Sequence, residues 1–318
     1  VSTAASYDAI PDAYKVDKMW LDGELVDAAT TGISIMTWTL HYGVGAFEGI
    51  RAYDGALGPA VFRLREHIER LFRSARLIRS EPPFTVDDVV KGCLDTLAAN
   101  GMREGYLRPI LFVDDGKRGL AALKNRVRVA VIVWPWGAYL GEEGMRKGIR
   151  AQVAGWTRMS PRSFLPKGKI CGQYVNSVLA KRDAVLAGLD EAILLDDQGY
   201  VAEASGENIF MVREGVLRTP PKSAPILEGI TRDSILTLAR DSGIRVKEER
   251  FSRDALFSAD EVFLTGTAAE VTPVREIDGR KIGIGQRGPV TEQLQTRYLD
   301  VVRGRVEPFR HWLSPYTV

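Results

Sequence analysis

Lys169 stands in SFLPKGKICGQYVNS, after Pro166 and Gly168 and just ahead of Tyr174 and Val175. A lysine whose stem is ordered and whose amine is partly desolvated can lose its proton and attack a carbonyl carbon. Read alone, it is an ordinary surface lysine. Glu203 lies in GYVAEASGENIFMV, between a short strand and the Ser205-Gly206 turn. A carboxylate buried against a ring nitrogen keeps that nitrogen protonated, which an electron-sink cofactor needs; read alone, Glu203 is a turn acid near solvent. Two glycine-bearing turns could hold a phosphate. LEGITRD places Gly229 before a helix that begins near Thr231, where the N–H groups of Ile230 and Thr231 point at an anion. The alternative is an ordinary turn capped by Thr231, with Arg232 and Asp233 as surface charges. In TGTAAE, a strand runs into Gly266, Thr267 and Ala268, small enough for a ligand to approach or for a tight packing turn. Arg70 sits beside the apolar stripe of a helix, where its charge either enters a pocket or snorkels to water.

No dinucleotide fingerprint accompanies these turns, and GKRG at 116 to 119 lacks the other residues of a nucleotide-binding loop, so a phosphate here belongs to another cofactor. His41, His67 and His311 are scattered, and Cys93 and Cys171 lack ligand spacing, so no metal site is expected. With 43 Lys and Arg against 41 Asp and Glu, nucleic acid is a poor candidate partner. VAVIVWPWGAYL, broken by Pro135 and Gly137, falls short of the roughly 20 residues of a membrane span. No basic-then-apolar segment near the N-terminus supports a secretory signal or lipid anchor, which leaves the cytoplasm as the default location.

The elements that must position these residues are partly readable. The 318 residues suffice for roughly two domains. KMWLDGELVDAA predicts two short strands around Asp22-Gly23. Leu64, Ile68, Leu71, Ala75 and Ile78 form one face of a helix over 64–79, and Val86 to Leu97 one face of a second over 86–99, stopped by Asn100-Gly101. Strands are predicted over 106–113, at an edge or bulge because of Pro109, and over 127–134. Residues 137–149 have low periodicity and mark a boundary. Beyond it lie a helix over 174–187 with Val175, Val178, Leu179, Val185 and Leu186 as its face, a helix over 231–241 closed by Gly243, and the strands EAILL, NIFMV, GVLRT, IRVKEE and DEVFLT.

The motifs LHYGVGAFEGIRAYDG, FRLREHIERL, YLRPILF, WPWGAYLG, KGKICGQYVNS, EASGENIF, LEGITRD and GTAAEVTPV follow one another over about residues 19 to 290. In this order they resemble the branched-chain amino-acid aminotransferases, which are class IV pyridoxal phosphate enzymes. The resemblance implies an α/β (α+β) fold of the fold type IV, D-amino-acid aminotransferase-like kind. It implies a small N-terminal domain over 1–140, a larger C-terminal domain over 141–318, and pyridoxal 5'-phosphate with the active site between them. Lys169 looks like the lysine that holds the cofactor as a Schiff base and shuttles the proton. Glu203 looks like the partner of the pyridine nitrogen and Tyr174 like the donor to the phenolic oxygen, with Arg70, Ile230, Thr231 and Thr267 at the phosphate. For substrate, the resemblance points to Thr267, Ala268 and Tyr106 at the α-carboxylate and to Phe47, Trp136 and Tyr139 as apolar walls. It brings Tyr42 across from a neighbouring subunit and sets Arg108 at the distal carboxylate of glutamate.

The implied reaction moves the amino group of L-leucine, L-isoleucine or L-valine to 2-oxoglutarate, in a homodimer or larger homo-oligomer. Lysine and cofactor chemistry explains how so few histidines suffice. The chain departs from commoner members at Glu228, where a proline is often found, at Cys171-Gly172-Gln173, and in the short loop after Val113. These departures bear on strict branched-chain specificity and keep a D-amino-acid or (R)-amine transaminase as the nearest alternative; an aminodeoxychorismate lyase of the same fold is a further one, and a non-catalytic interaction protein is the alternative from a different class.

Overall fold

The computed structural model describes residue 11, residues 14 to 137 and residues 141 to 318. Its contacts divide the chain into two units. The first comprises the chain up to Trp136 together with Gly168–Gly172 and Val301–Val318. Its strands are β1 (Lys18–Leu21), β2 (Glu24–Asp27), β3 (Gly45–Phe47), β4 (Ile50–Gly55), β5 (Gly58–Phe62), β6 (Gly105–Val113) and β7 (Val127–Trp134). With the C-terminal strand Leu313–Pro315 they form one sheet, ordered C-terminal strand, β5, β4, β6, β7, β1, β2, with β3 also on β6. The hairpin expected at Asp22-Gly23 is present, both residues having positive φ.

Helix α1 (Trp38–Tyr42) precedes β3, and α2 (Leu64–Leu77) and α3 (Val86–Ala99) follow β5. In α2 the predicted stripe is the buried one: Leu64, Ile68, Leu71 and Ala75 are fully covered. The helix stops at Leu77 rather than 79, because the backbone turns left-handed at Arg79 (φ 55°). Helix α3 keeps its predicted limits and is anchored by a reciprocal Thr85–Asp88 cap.

The edge position expected from Pro109 is not found. Strand β6 is interior, paired with β7 on one side and with β3 and β4 on the other. The proline is tolerated because its missing N–H falls opposite Glu48 and Gly49, where β3 has ended and β4 has not begun. Only its carbonyl is needed there, accepting from the Glu48 N–H at 2.8 Å.

The second unit comprises Gly137–Lys167 and Gln173–Asp300. Its sheet is built from β8 (Ile149–Thr157), β9 (Glu191–Leu195), β10 (Val201–Ala204), β11 (Asn208–Arg213), β12 (Val216–Thr219), β13 (Arg245–Glu248), β14 (Glu261–Gly266), β15 (Glu270–Ile277) and β16 (Arg280–Lys281). The order is β10, β9, β8, β15, β14, β11, β12, β13, with β16 on β15. The helices used below are α4 (Gly141–Lys147), α5 (Tyr174–Leu186) and α6 (Ile230–Asp241). Helix α4 occupies the stretch that carries no periodicity.

The face predicted for α5 is wrong. Val175, Val178, Val185 and Leu186 are 61%, 42%, 57% and 87% exposed, whereas Ser177, Ala180 and Ala184 are buried. Small residues let the helix backbone lie close to β8 and β9, and Ala180 and Ala184 pack with Ala192 and Leu194 of that sheet. Among the described residues, no helix is long and apolar enough to cross a membrane.

Candidate active site

In the first unit, backbone bonds fix the segment that carries Lys169. The Lys169 carbonyl accepts from the Phe47 N–H at 3.0 Å, and the Lys169 N–H donates to the Ser74 hydroxyl at 2.9 Å. Ile170 bridges to Ala46, and the Gly172 N–H donates to the Gly43 carbonyl at 2.9 Å. That last contact demands glycine at 43: φ is 69°, and a Cβ there would lie 2.8 Å from the Gly172 Cα. Lys169 is half-buried, its amine 5.0 Å from the centre of the Phe47 ring.

Phe47 leads directly to Arg108. The guanidinium lies 4.7 Å from the Phe47 ring and 5.6 Å from both Tyr106 and Trp134, while Trp136 packs edge-on against Tyr106 at 4.3 Å. Tyr106 reaches this position over Gly49, where a Cβ would overlap its hydroxyl. Arg108 Nε is buried without a hydrogen-bond partner, and no carboxylate of the described residues pairs with this arginine. Thus Lys169, Phe47, Arg108, Tyr106 and Trp136 are brought together. Tyr42 is instead 45% exposed and packs against Trp38. Tyr139 lies outside the described residues.

Arg70 does not snorkel; it is buried and engaged. Its Nε and Nη2 each donate to a different oxygen of Glu48 at 2.7 Å, and His67 Nδ1 donates to Glu48 Oε2 at 2.7 Å. Burial opposes ionisation of Glu48, but the Arg70 charge and hydrogen bonds, with those of His67, outweigh it and hold the carboxyl far below the usual range. Burial pushes the His67 imidazole down, helped by the charges of Arg70 and Lys169 and opposed by Glu48. Sequence reasoning passes over both Glu48 and His67. A signal existed: His67 and Arg70 are one helical turn apart, flanking Ile68 on the buried side of α2.

In the second unit, Glu203 lies in β10, one residue before its end, and is buried. Its Oε1 lies 2.7 Å from Arg158 Nε, and its Oε2 accepts from Asn208 Nδ2 at 3.1 Å and from the Leu227 N–H at 3.0 Å. Asn208 also donates to the Leu227 carbonyl at 2.8 Å, and a Cβ on Gly229 would overlap the Asn208 amide oxygen. One network therefore links Glu203 to the start of α6. That helix has Gly229 as its N-cap and no side-chain cap, and its first intrahelical bond comes from the Asp233 N–H. Thr231 is buried inside the helix and is not its cap. Arg232 is not a surface charge: it is 1% exposed, with Nη2 2.8 Å from both the Pro220 carbonyl and Glu248 Oε2. Thr267 and Ala268 lie half-buried in the turn from β14 to β15, and Asn208 pairs with Thr265 just before that turn. Tyr174 opens α5.

Glu228 acquires a role in the same loop. It lies 3.8 Å from Lys167 and 3.7 Å from Lys222, and Lys167 Nζ donates to the carbonyls of Lys222, Ala224 and Ile226, the last two at 3.0 and 3.2 Å. The ammonium holds the loop that leads into α6.

Glu207 is buried beside Glu191, whose carboxylate takes Lys181 Nζ at 2.6 Å and the Ser205 hydroxyl at 2.5 Å. Burial, and next the Glu191 charge, push the Glu207 carboxyl up to about 8. The folded protein then keeps a proton that the unfolded chain releases near pH 4.5. The associated stability is complete below that value and is lost as the pH rises toward 8. Glu207→Gln, which keeps a neutral donor in place, is expected to melt several degrees above wild type at pH 8.5 and within about 2 °C of it at pH 5. Parallel melting-temperature curves for the two proteins from pH 5 to 8.5 would count against a protonated Glu207.

Residues 45–277 match the family described as "Amino-transferase class IV". The chain belongs to the class IV aminotransferases. This aminotransferase is 46% identical over 294 residues to the branched-chain-amino-acid aminotransferase of Pseudomonas aeruginosa, covering 92% of this chain and 95% of that one. Its fold superimposes with a TM-score of 0.91 on the branched-chain amino acid aminotransferase of Escherichia coli, at 42% identity over 95% of this chain and 99% of the other. It superimposes with a TM-score of 0.89 on the pyridoxal phosphate form of the branched-chain amino acid aminotransferase of Thermobaculum terrenum, at 33% identity over 96% of this chain and 100% of the other. The family works with pyridoxal 5'-phosphate. The donor set of this aminotransferase fits that cofactor: an uncapped helix N-terminus behind a glycine that must stay bare suits a phosphate, and a buried carboxylate suits a pyridinium.

Proposed function

We propose that the chain is a branched-chain amino-acid transaminase, moving the amino group of L-leucine, L-isoleucine or L-valine to 2-oxoglutarate. The observation that carries this reading is Arg108: a guanidinium walled by Phe47, Tyr106 and Trp134, with a buried Nε and no carboxylate partner among the described residues. One site must accept an aliphatic side chain in one half-reaction and a carboxylate in the other. Aromatic faces serve the first, and a cation at their margin serves the second.

When bound, pyridoxal 5'-phosphate supplies the electron sink that makes the substrate's α-proton acidic. Lys169 Nζ takes that proton and returns it, its segment held by the backbone bonds to Phe47 and to the Ser74 hydroxyl. Glu203 keeps the ring nitrogen protonated, and Tyr174 donates to the phenolic oxygen. The N–H groups of Ile230 and Thr231, with Thr267 and Arg70, bind the phosphate. The Thr267-Ala268 turn and Tyr106 receive the α-carboxylate, and Phe47, Trp136 and Tyr139 exclude water from the side-chain region.

The working form is proposed to be a homodimer or larger homo-oligomer. Ile35, Leu40, Leu120 and Leu123 are 62–82% exposed, and their segments are tied together by the Trp38 indole donating to the Gly119 carbonyl at 3.0 Å. A second copy covering this apolar surface would also bring Tyr42 to its neighbour. Light scattering that gives a monomer at working concentration would sink this assignment.

A donor panel with 2-oxoglutarate tests the activity. L-leucine, L-isoleucine and L-valine should be consumed; activity on D-alanine or an (R)-amine with none on L-leucine would reverse the reading. Arg108→Met should separate the two half-reactions. We expect kcat/KM for 2-oxoglutarate to fall about 10- to 100-fold, the worth of a hydrogen-bonded charge pair, with L-leucine changed less than about 3-fold. Equal losses for both substrates, measured as separate half-reactions, would remove Arg108 from that role.

A further inference from the structure

Arg158 follows β8 directly and is 5% exposed. Its backbone N–H donates to the Leu195 carbonyl at 2.7 Å, but its side chain makes no hydrogen bond to any described residue, and Nε and Nη1 are buried without hydrogen-bond partners. Nε lies 2.7 Å from Glu203 Oε1 yet off the hydrogen-bond axis, so the two groups meet as charges. Arg232 is used differently: its Nε is also buried without a partner, but its Nη2 donates to both the Pro220 carbonyl and Glu248, whereas no side-chain nitrogen of Arg158 donates to a described residue. Arg158 contributes its charge.

That charge has one counterpart: among the described residues, Glu203 is the carboxylate that pairs with Arg158. A guanidinium stays protonated, so a neutral Glu203 would leave a buried cation uncompensated. The other Glu203 oxygen receives the Asn208 amide and the Leu227 N–H, and both donors favour the anion. The other titratable groups near this place are Lys167, held in the carbonyls before α6, and Glu207, whose carbonyl accepts from the Ala204 N–H. We propose that Arg158 is a positioning residue whose charge holds Glu203 as a carboxylate across the working pH range, and that it thereby keeps the pyridine nitrogen protonated. This rests on Glu203 serving that nitrogen.

The test uses full-length Arg158→Gln, Arg158→Lys and Glu203→Gln. In apoprotein labelled with 13C-glutamate, the Glu203 carboxyl signal is the one missing from Glu203→Gln. From pH 4 to 9 it should stay flat in wild type and in Arg158→Lys, and titrate within that range in Arg158→Gln. In the holoenzyme, Arg158→Gln should lose L-leucine turnover by about 10- to 100-fold at pH 6 and recover most of it at pH 8.5, as a carboxyl freed from a neighbouring cation would. KM should change less than about 3-fold. A flat Glu203 signal in Arg158→Gln, or a loss of turnover equal at every pH, overturns the proposal. If Arg158→Gln does not fold, a Glu203 signal that titrates above pH 5 in Arg158→Lys overturns it, and a flat one supports it. Wild-type turnover in Glu203→Gln would instead remove Glu203 from the cofactor, with the apoprotein titration still deciding what Arg158 does.

Discussion

Lys169→Ala should reduce transamination of L-leucine by about 1,000-fold or more, because the group proposed to take and return the α-proton is gone. The fold should survive the change. The segment is held by the Lys169 carbonyl and N–H, by the Ile170 bridge to Ala46 and by the Gly172–Gly43 contact, none of which involves the side chain. A melting temperature within about 2 °C of wild type is therefore expected alongside the lost activity. The measurement is 2-oxo acid release from L-leucine with 2-oxoglutarate, next to a thermal scan of the same preparation. A variant that keeps a tenth of wild-type turnover would assign the proton transfer to another group.

The largest effect on stability is expected at Glu48. Removing its carboxylate leaves the Arg70 guanidinium and the His67 imidazole buried together without their shared acceptor. Breaking a buried pair from one side costs about 3–5 kcal/mol, so Glu48→Ala should lower the melting temperature by roughly 10 °C. Arg70 should also lose its fixed orientation, and the apoprotein should bind pyridoxal 5'-phosphate more weakly. The pH dependence has a definite sign. With the Glu48 carboxyl held low, its contribution is present above the ordinary carboxylate value of 4.5 and is lost as the pH falls below it. The lowered His67 acts in the same direction, since below about pH 6.5 the unfolded chain takes up a proton that the folded one resists. Down to about pH 4.5 the gain from protonated Glu207 offsets the His67 loss, so wild type should lose stability on acidification mainly below that value, and Glu48→Ala should show a smaller acid loss from a lower starting point. Unchanged melting and cofactor affinity in Glu48→Ala would mean that the trio does not organise Arg70.

What was readable in the sequence depended on how local each determinant is. The stripe of α2 and the stop of α3 at Asn100-Gly101 are set by neighbours within a few residues, and both appear where the spacing puts them. The α5 face was misread because apolar periodicity assumes that the largest side chains choose the core. There the distance of approach to β8 and β9 decided, and Ser177, Ala180 and Ala184 won over the valines. Pro109 misled for a related reason, since a gap in the partner strand leaves no local trace. Lys169, Arg70, Glu203 and the α6 turn could be named from their motifs. Glu48 beside Arg70, and Arg158 and Asn208 beside Glu203, could not, since an acid at 48 acquires meaning only from residues 19 and 22 positions away. Arg158 is 45 positions from the carboxylate that explains it.

The membership of the first unit sets an order on its birth at the ribosome. Its sheet lacks an edge until Leu313–Pro315 joins β5, and Lys169 arrives on a five-residue excursion, Gly168–Gly172, spliced between stretches of the second unit. Domains ordinarily fold as they emerge, N-terminal first. Here a nascent chain paused after Trp136 carries the aromatic wall and Arg70 but no Lys169 and no closing strand. The first unit is therefore encoded by no single stretch of the chain, and a product that ends before Gly168 lacks Lys169 altogether.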